Sequence, residues 1–402
     1  MKIVYIVHQF YPYFSSGTER FVFQLSSMLQ KNGNQVKIIT YHVGENPDQQ
    51  EPIRQREYLY QNLPVLEFHL KKEPIGFTID LFEPGLLDFA SGILKKENPD
   101  VVHLCHPMRC GAFLKAAQDL NIPTLVTVTD LMFLCPKVIM RTMDGELCPS
   151  ADGGVRCNKV CPDTGKHNQD RMQTAHQLLK KAGAVVAPSE FLKGMIAREI
   201  PDLNIQVIHH GLNMKSTRQT AKYHGKSKLI IGFVGSILEH KGLHLLIDAI
   251  KRMRTPNLTL KVYGDDSNPY AQKLKKDCKS DSRIVFCGLF TPEQTDNIYA
   301  GIDVLAVPSI CYESYSLVKY EALVRGIPVI VADLGALPEG IQDGINSFLF
   351  DLNNKDSLKN VLQRLISHPE KLNPVKKKIS SFPITYLEQE AFQYLTLYRK
   401  LR

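Results

Sequence analysis

Short apolar runs rich in β-branched residues alternate with segments in which apolar residues recur every three or four positions. Five such runs occur in the first half of the chain, KIVYIV, QVKIIT, DVVHLC, PTLVTV and AVVAPS. Each run predicts a buried strand, and each segment between them predicts an amphipathic helix. Because strands that alternate with helices form a parallel sheet covered on both faces, this half predicts a doubly wound α/β domain.

The same alternation starts again after a polar, basic stretch at 213–228, with the runs KLIIGFVG, LTLKVYG, RIVFCG, IDVLAVPS and PVIVAD. We therefore predict two tandem Rossmann-like domains with parallel sheets, over residues 1–210 and 211–380, facing each other across a cleft. Ligands of such sheets bind beyond the carboxyl ends of the strands, so the active site is expected in that cleft.

Residues 381–402 predict a C-terminal helix that crosses back to the first domain. The segment TYLEQEAFQYLTLYRKLR has helical spacing of its apolar residues. We expect one face of this helix to present Tyr386, Phe392, Leu395 and Tyr398.

The length and net charge of the chain indicate two domains and limit the kinds of partner it could bind. With 402 residues, of which 44% are hydrophobic, the chain can fill two cores. Its net charge of +8 is dispersed apart from small clusters at 376–378 and 399–402, which argues against a nucleic-acid partner. The clusters leave two alternatives, a solvated surface or contact with anionic lipid.

The chain contains no apolar stretch near the roughly 18 to 20 residues of a spanning helix, and its N-terminus lacks the pattern of a secretion signal. We expect a cytoplasmic protein, with peripheral contact at the inner face of the cell membrane as the alternative location.

The most informative stretch is 308–344, which follows the strand IDVLAVPS. Ser316 is a suitable N-cap, and Leu317 opens a helix that Gly326 terminates. The amide groups of Leu317 and Val318 would point out of the helix N-terminus just beyond the end of a strand. Such an arrangement binds anions and suits a diphosphate.

Two carboxylates flank this predicted phosphate site. Glu313 precedes the helix, and Glu321 lies one turn beyond Leu317. Carboxylates accept paired hydrogen bonds from vicinal hydroxyls, which ribose and hexose both present. A sugar nucleotide therefore fits the three features together. The alternative is that Glu313 complements the helix dipole and Glu321 is a solvated helical residue.

This segment resembles the Glu-x7-Glu signature of the retaining enzymes of glycosyltransferase family 4, also called group 1, which have the GT-B fold. The resemblance implies that Glu313 contacts hydroxyls of the donor sugar, that Glu321 holds the ribose, and that Leu317 and Val318 bind the diphosphate. It implies a UDP- or GDP-sugar as donor and no metal in catalysis.

The stretch IIGFVGSILEHKGLHLLIDAI resembles the phosphate-contacting loop of that family. Gly235 ends the strand, and Lys241 is expected to neutralise the departing diphosphate. The family often has Arg where this chain has Ser236, which leaves open whether His240 contributes. The alternative is that Lys241 lies on the rim of an unrelated helix.

In the first domain, FSSGTERFVFQL resembles the glycine loop of the family, with Gly17 permitting close backbone approach. The stretch VTVTDLMFLCP resembles a strand that usually ends in Thr-x-His-Asp, with Thr129 in the place of the histidine and Asp130 after it. Either the Thr129 hydroxyl does part of the work of that imidazole, or His103 or His106 supplies one. The alternative for each histidine is a buried packing role.

Four cysteines, Cys135, Cys148, Cys157 and Cys161, occupy a segment rich in Gly and Pro at 135–161. Four thiolates suit tetrahedral zinc, or an iron–sulfur cluster. Some enzymes that resemble this family carry a similar insert, which suggests a structural zinc that shapes the acceptor side. Four ordinary reduced cysteines are the alternative.

The resemblance implies retaining transfer of a sugar from a nucleoside-diphosphate sugar to a hydroxyl of a glycan or lipid-linked acceptor, in cell-surface polysaccharide synthesis. The departing phosphate would take the proton of the acceptor. Two alternatives remain. One is a GT-B enzyme of another reaction, such as a sugar-nucleotide epimerase; a phosphorylase would need a lysine-bound pyridoxal phosphate, for which the sequence offers no candidate site. The other is a metal-stabilised sugar-nucleotide-binding protein without turnover, which the departures at Thr129 and Ser236 favour.

Overall fold

A computed structural model describes residues 1–42, 51–71, 81, 84–165, 167–214 and 228–402. The chain divides into two compact units, unit 1 with Met1–Asn213 and Thr385–Arg402, and unit 2 with Met214–Ile384. The predicted polar break at 213–228 lies mostly outside the described residues. Among the described residues, none of the helices has the length and apolar character needed to cross a membrane.

Unit 1 contains an eight-stranded sheet in the order β3-β4-β2-β1-β5-β6-β7-β8. The pairs are parallel except β3 with β4. The strands are β1 (Lys2–Val7), β2 (Gln35–Tyr41), β3 (Ile53–Tyr60), β4 (Leu63–Leu70), β5 (Val101–Leu104), β6 (Thr124–Thr127), β7 (Ala184–Ala187) and β8 (Ile205–Val207). The helices are α1 (Gly17–Lys31), α2 (Leu87–Glu97), α3 (Gly111–Asp119), α4 (Val155–Val160), α5 (Asn168–Lys180) and α6 (Glu190–Glu199).

Unit 2 contains a six-stranded parallel sheet in the order β11-β10-β9-β12-β13-β14. The strands are β9 (Leu229–Val234), β10 (Leu258–Tyr263), β11 (Ile284–Gly288), β12 (Val304–Val307), β13 (Val329–Ala332) and β14 (Phe348–Phe350). The helices are α7 (Leu243–Lys251), α8 (Pro269–Asp277), α9 (Thr295–Ala300), α10 (Leu317–Val324), α11 (Ser357–Ser367) and α12 (Leu372–Ile379).

Both sheets are doubly wound, because the strand order reverses direction within each. In unit 2 the reversal falls between β9 and β12, and in unit 1 between β1 and β5. Connections at such a point leave the sheet on opposite faces, which opens a crevice outside the carboxyl ends of the two strands. The predicted class of two parallel-sheet α/β domains is confirmed, and the two reversals mark where ligand sites are expected.

The C-terminal helix α13 (Leu387–Leu401) belongs to unit 1. Tyr394 and Tyr398 are fully buried on its inner face, but Phe392 is 68% exposed, so the predicted face was wrong for that residue. The Tyr398 hydroxyl hydrogen-bonds the Tyr5 hydroxyl at 3.1 Å, which ties the helix to β1. Packing against the unit 1 core therefore selected the face that carries the tyrosine hydroxyls.

Candidate functional site

Two loops meet at the strand reversal of unit 2. The loop after β9 ends at Gly242, where φ is +71° and an added Cβ would come 1.9 Å from the carbonyl oxygen of Pro308. The Ile310 N–H donates to the His240 carbonyl at 2.9 Å. Only glycine permits this approach, so the loop after β9 packs directly on the loop after β12.

This packing brings Lys241 to Glu313. The Lys241 ammonium donates to Glu313 Oε1 at 2.8 Å, and the Ser309 hydroxyl donates to the same oxygen at 2.6 Å. Burial alone would raise the pKa of Glu313, but Lys241 and these hydrogen bonds hold it below its ordinary value. Burial opposes charge on Lys241 as well, yet Glu313 keeps its pKa raised. Both groups are therefore charged at neutral pH.

The helix α10 begins four residues beyond Glu313. Ser316 is the N-cap residue as predicted, but its side chain makes no capping hydrogen bond. The first backbone hydrogen bond inside the helix runs from the Tyr320 N–H to the Ser316 carbonyl. The amides of Leu317 and Val318 precede that bond and lie at the positive end of the helix dipole, where an anion is stabilised.

Glu321 is buried on α10, with 4% of its surface exposed. Its Oε2 accepts a hydrogen bond from the Tyr299 hydroxyl at 2.9 Å. The sequence analysis did not identify Tyr299, because 22 residues separate it from Glu321 and no motif connects them. Unit 2 thus holds both predicted carboxylates, one paired with a cation and one hydrogen-bonded to a tyrosine.

Gly235 and Ser236 occupy the end of β9. Gly235 has φ of +137°, and its carbonyl oxygen would lie 2.1 Å from a Cβ added at Gly264. Ser236 is exposed immediately beyond. The predicted phosphate loop therefore begins in a backbone conformation that glycine favours, with Ser236 open to solvent.

Lys319 is a second site feature that the sequence analysis missed. Its side chain is fully buried, and its ammonium donates to the carbonyls of Ala336, Leu337 and Glu339, each at 3.1 Å. Burial lowers its pKa to about 7. The Ala336 N–H in turn donates to the Glu313 carbonyl at 3.0 Å. Lys319 therefore anchors the loop that supports the backbone of Glu313.

In unit 1, His103 is fully buried within a hydrogen-bonded network. Its Nδ1 lies 2.7 Å from the Tyr398 hydroxyl and its Nε2 lies 2.7 Å from the Thr127 hydroxyl. Thr127 also hydrogen-bonds Tyr394 at 2.9 Å. Because both ring nitrogens are occupied inside the core, the expectation that His103 offers an imidazole to a ligand was wrong; it joins β5 to α13.

His106 lies at the strand reversal of unit 1. Its Nε2 is 2.7 Å from Asp130 Oδ2, and its Nδ1 accepts the Met108 N–H at 3.2 Å. Nε2 therefore faces the carboxylate of Asp130, and the imidazole is held at both ring nitrogens. Burial alone would raise the pKa of Asp130, but His106 holds it below its ordinary value. His106 therefore orients an ionised Asp130.

His8 and Glu19 extend this cluster and were not singled out from the sequence. The His8 ring packs against the His106 ring, with 3.8 Å between centroids and the planes tilted by 31°, and its Nε2 lies 3.6 Å from Glu19 Oε1. Burial, together with His106 and Arg109, lowers the pKa of His8 well below its ordinary value, whereas burial raises that of Glu19. Loops after β1, β5 and β6 thus place titratable groups together.

Thr129 tethers the glycine loop. It accepts a hydrogen bond from the Thr18 hydroxyl at 3.0 Å and donates to the Cys105 carbonyl at 2.9 Å. Gly17 is exposed as the first residue of α1. The hydroxyl proton of Thr129 is already committed to Cys105, so this residue holds the loop beside the end of β6.

The four cysteines of the insert are buried near one another. Burial raises the pKa of Cys157 to about 12, and the thiols of Cys135, Cys148 and Cys161 act in the same direction. Across the described ranges, however, no three His, Cys, Asp or Glu side chains form a group that could hold a metal ion. The predicted zinc therefore has no support among these residues, and all four cysteines are buried.

Two family profiles match the chain, "Glycosyltransferase Family 4" over residues 15–216 and "Glycosyl transferases group 1" over residues 216–381. An uncharacterized glycosyltransferase of Methanocaldococcus jannaschii is 24% identical over 91% of this chain and 89% of its own length. The lipopolysaccharide 1,2-N-acetylglucosaminetransferase of Salmonella typhimurium is 26% identical over 46% of this chain, a match that spans about half (54%) of that protein.

The crystal structure of Anabaena HepE in complex with UDP and glucose matches with a TM-score of 0.70 and 17% identity, over 100% of both chains. That likeness concerns the fold, whereas the two profiles concern the sequence along nearly its whole length. The chain therefore belongs to glycosyltransferase family 4, a family of enzymes with the GT-B fold.

Proposed function

We propose that this protein is a retaining glycosyltransferase that moves a sugar from a nucleoside-diphosphate sugar to a hydroxyl of a glycan or lipid-linked acceptor, in cell-surface polysaccharide synthesis. The observation that carries the proposal is the Lys241–Glu313 pair beside the N-terminus of α10. The match to a lipopolysaccharide sugar transferase and the UDP and glucose bound by HepE support the substrate class.

Each residue of the unit 2 site has a proposed part. Lys241, the amides of Leu317 and Val318, and the loop at Gly235 and Ser236 bind the diphosphate. Glu313 accepts hydrogen bonds from the donor sugar, and Glu321 accepts them from the ribose. Lys241 then exchanges part of its interaction with Glu313 for the phosphate, which carries more charge as it leaves.

The reaction needs no strongly basic side chain. The bond between the anomeric carbon and the phosphate oxygen breaks, and the acceptor oxygen bonds that carbon from the same face, through a transition state with oxocarbenium character. The proton of the acceptor passes to the departing phosphate oxygen. Lys241 and the helix dipole stabilise the leaving charge, so the scheme calls for no metal.

Unit 1 is the proposed acceptor side. Asp130, oriented by His106, is partly exposed at the strand reversal and is the group we assign to an acceptor hydroxyl. Thr129 and Gly17 shape the adjoining loop. We place the acceptor domain at 1–210 with the helix at 381–402, and the donor domain at 211–380. Exposed Lys377 and Lys378 support peripheral contact with anionic lipid at the cytoplasmic face of the membrane.

Thermal-shift titration with UDP-, GDP- and ADP-sugars, followed by product analysis with a labelled donor, tests the proposal. Binding stabilises the folded chain in proportion to occupancy. We expect Lys241→Ala to weaken donor binding by at least about tenfold, and Glu313→Gln to reduce transfer more than binding. Lys279→Ala, an exposed lysine of the same unit, is the matched control.

The same assay separates the alternatives. An epimerase would release an isomerised sugar nucleotide without an acceptor, and a binding protein would bind donor but show neither transfer nor hydrolysis. The proposal fails if none of the donors raises the melting temperature, or if the product has the inverted anomeric configuration.

A further inference from the structure

The buried hydroxyl of Tyr299 contacts Glu321, the residue proposed to bind the ribose of the donor. Tyr299 lies in α9 with 1% of its surface exposed. Its hydroxyl is 2.9 Å from Glu321 Oε2 and 3.4 Å from the Val318 carbonyl on the same helix, α10. A buried hydroxyl without a partner is costly, so this group has a strong preference for the position where it meets Glu321.

Arg325 packs on the ring of Tyr299. Its guanidinium carbon lies 4.6 Å from the centre of that ring, a cation–π contact. The same guanidinium donates to the Glu321 carbonyl at 2.9 Å and to Asp296 of α9 at 2.6 Å. Arg325 therefore ties α9 to the backbone of α10 at the turn that carries Glu321.

These contacts restrict a side chain that would otherwise rotate. A free glutamate must lose rotamer freedom when it accepts hydrogen bonds from two hydroxyls, and fixing it beforehand removes that cost from binding. A carboxylate has about four lone-pair positions, so accepting a hydrogen bond from Tyr299 is compatible with accepting hydrogen bonds from a vicinal diol. The tyrosine thus sets the plane of the carboxylate without occupying it.

We infer that Tyr299 is a positioning residue that orients Glu321 for the 2′- and 3′-hydroxyls of the donor ribose, with Arg325 holding its ring in place. This inference rests on the proposed function, which assigns the ribose to Glu321. It makes the discrimination between ribose and its deoxy analogues depend on a residue of a different helix.

The experiment compares binding of a nucleoside diphosphate with that of its 2′,3′-dideoxy form. UDP, GDP and ADP are screened by isothermal calorimetry, and the tightest is paired with its dideoxy analogue. For the wild type we expect at least about tenfold weaker binding of the analogue. Tyr299→Phe should reduce this ratio to about threefold or less, mainly by weakening the ribose form. Glu321→Gln should also reduce it.

Tyr394→Phe is the matched control. It removes a buried tyrosine hydroxyl that makes a hydrogen bond of the same length, 2.9 Å, to Thr127 in the other unit. We expect its binding ratio to equal that of the wild type. If Tyr299→Phe weakens both ligands equally, its role is structural and the inference is overturned.

The two levels of the hypothesis fail differently. If Glu321→Gln keeps the wild-type ratio of ribose to dideoxy affinity, the assignment of Glu321 to the ribose is overturned, and with it the proposed function of that residue. If Glu321→Gln reduces this ratio but Tyr299→Phe keeps the wild-type value, only the inference about Tyr299 is overturned. Should Tyr299→Phe show no cooperative unfolding transition, Arg325→Lys takes its place, and an unchanged ratio in a folded Arg325→Lys protein would overturn the inference.

Discussion

His103 and His106 come from one short motif but occupy different surroundings. His103 has both ring nitrogens hydrogen-bonded in the core, whereas His106 lies three residues further on and contacts Asp130 at the strand reversal. Alternation along β5 and the loop after it separates the two side chains. At the scale of single residues, the role of each histidine therefore depends on its burial and not on its position in the sequence motif.

Burial of His103 gives a prediction for acid stability. Its pKa is lowered from 6.5 to about 3 in the folded protein. Between those values the unfolded chain binds a proton that the folded chain does not, so stability falls as pH falls, by at most about 1.4 kcal/mol per pH unit. In His103→Gln the unfolded chain cannot bind a proton at this position. We therefore expect the free energy of unfolding of this variant to fall less steeply between about pH 6 and pH 4, measured by urea denaturation.

His167→Gln is the control for that slope. His167 belongs to the same unit, and its side chain is 89% exposed. We expect this variant to keep the wild-type dependence on pH. A wild-type slope in His103→Gln would contradict the burial argument.

The loops after β9 and β12 show how elements assemble the site. Lys241 lies in one loop and Glu313 in the other, and contact between Gly242 and Pro308 brings the two side chains together. β3 and β4, by contrast, escaped the sequence analysis. Exposed polar residues fill most of β3, an edge strand, so its periodicity is weak.

Gly242→Ala tests the loop contact. An added Cβ would meet the Pro308 carbonyl at 1.9 Å, so one loop must move and Lys241 must separate from Glu313. Gly344→Ala has the same φ of +71° with no atom within 4 Å of its Cβ, which isolates backbone strain from the clash. We expect Gly242→Ala to lose about 2 kcal/mol more stability than Gly344→Ala.

Nucleotide binding should follow the same order. We expect Gly242→Ala to weaken binding of the nucleoside diphosphate by at least about tenfold, and Gly344→Ala to bind like the wild type, both by calorimetry. Equal stability and equal affinity in the two variants would show that the loop contact does not position Lys241.

At the scale of the whole molecule, the chain returns to its first unit after completing the second. The helix α13 contributes Tyr394 and Tyr398 to the core of unit 1, next to Tyr5 and His103. Residues almost 400 positions apart therefore share one hydrogen-bonded network. The last 18 residues are part of unit 1, so we expect them to contribute to the stability of that unit.

Tyr398→Ala should destabilise unit 1 alone. Loss of a fully buried aromatic side chain costs about 3 to 5 kcal/mol, and here it also removes the hydrogen-bond partner of His103 Nδ1. Hydrogen–deuterium exchange should become faster in β1, β5 and β6 while β9, β12 and β13 exchange as in the wild type. Phe392→Ala, on the exposed face of the same helix, should change stability by less than about 0.5 kcal/mol. Faster exchange in both units would contradict this assignment.

The sequence by itself determined the fold class and the family. Strand and helix periods are local, and the Glu-x7-Glu segment with its helix signals lies within one short stretch, so both could be recognised without coordinates. The resemblance assigned Lys241 and Glu313, 72 residues apart, to the same ligand, but only the packed loops showed that the two side chains are in contact, at 2.8 Å.

Only the tertiary structure decided which side chains are buried and what they meet. Tyr299, Lys319, His8 and Glu19 gained their partners from neighbouring elements of the fold, and no local spacing encodes such contacts. Phe392 and His103 were misjudged for the same reason, because the phase of a helix and the accessibility of a strand end depend on what packs against them. Short-range pattern specifies elements, and long-range packing specifies the environment of each functional group.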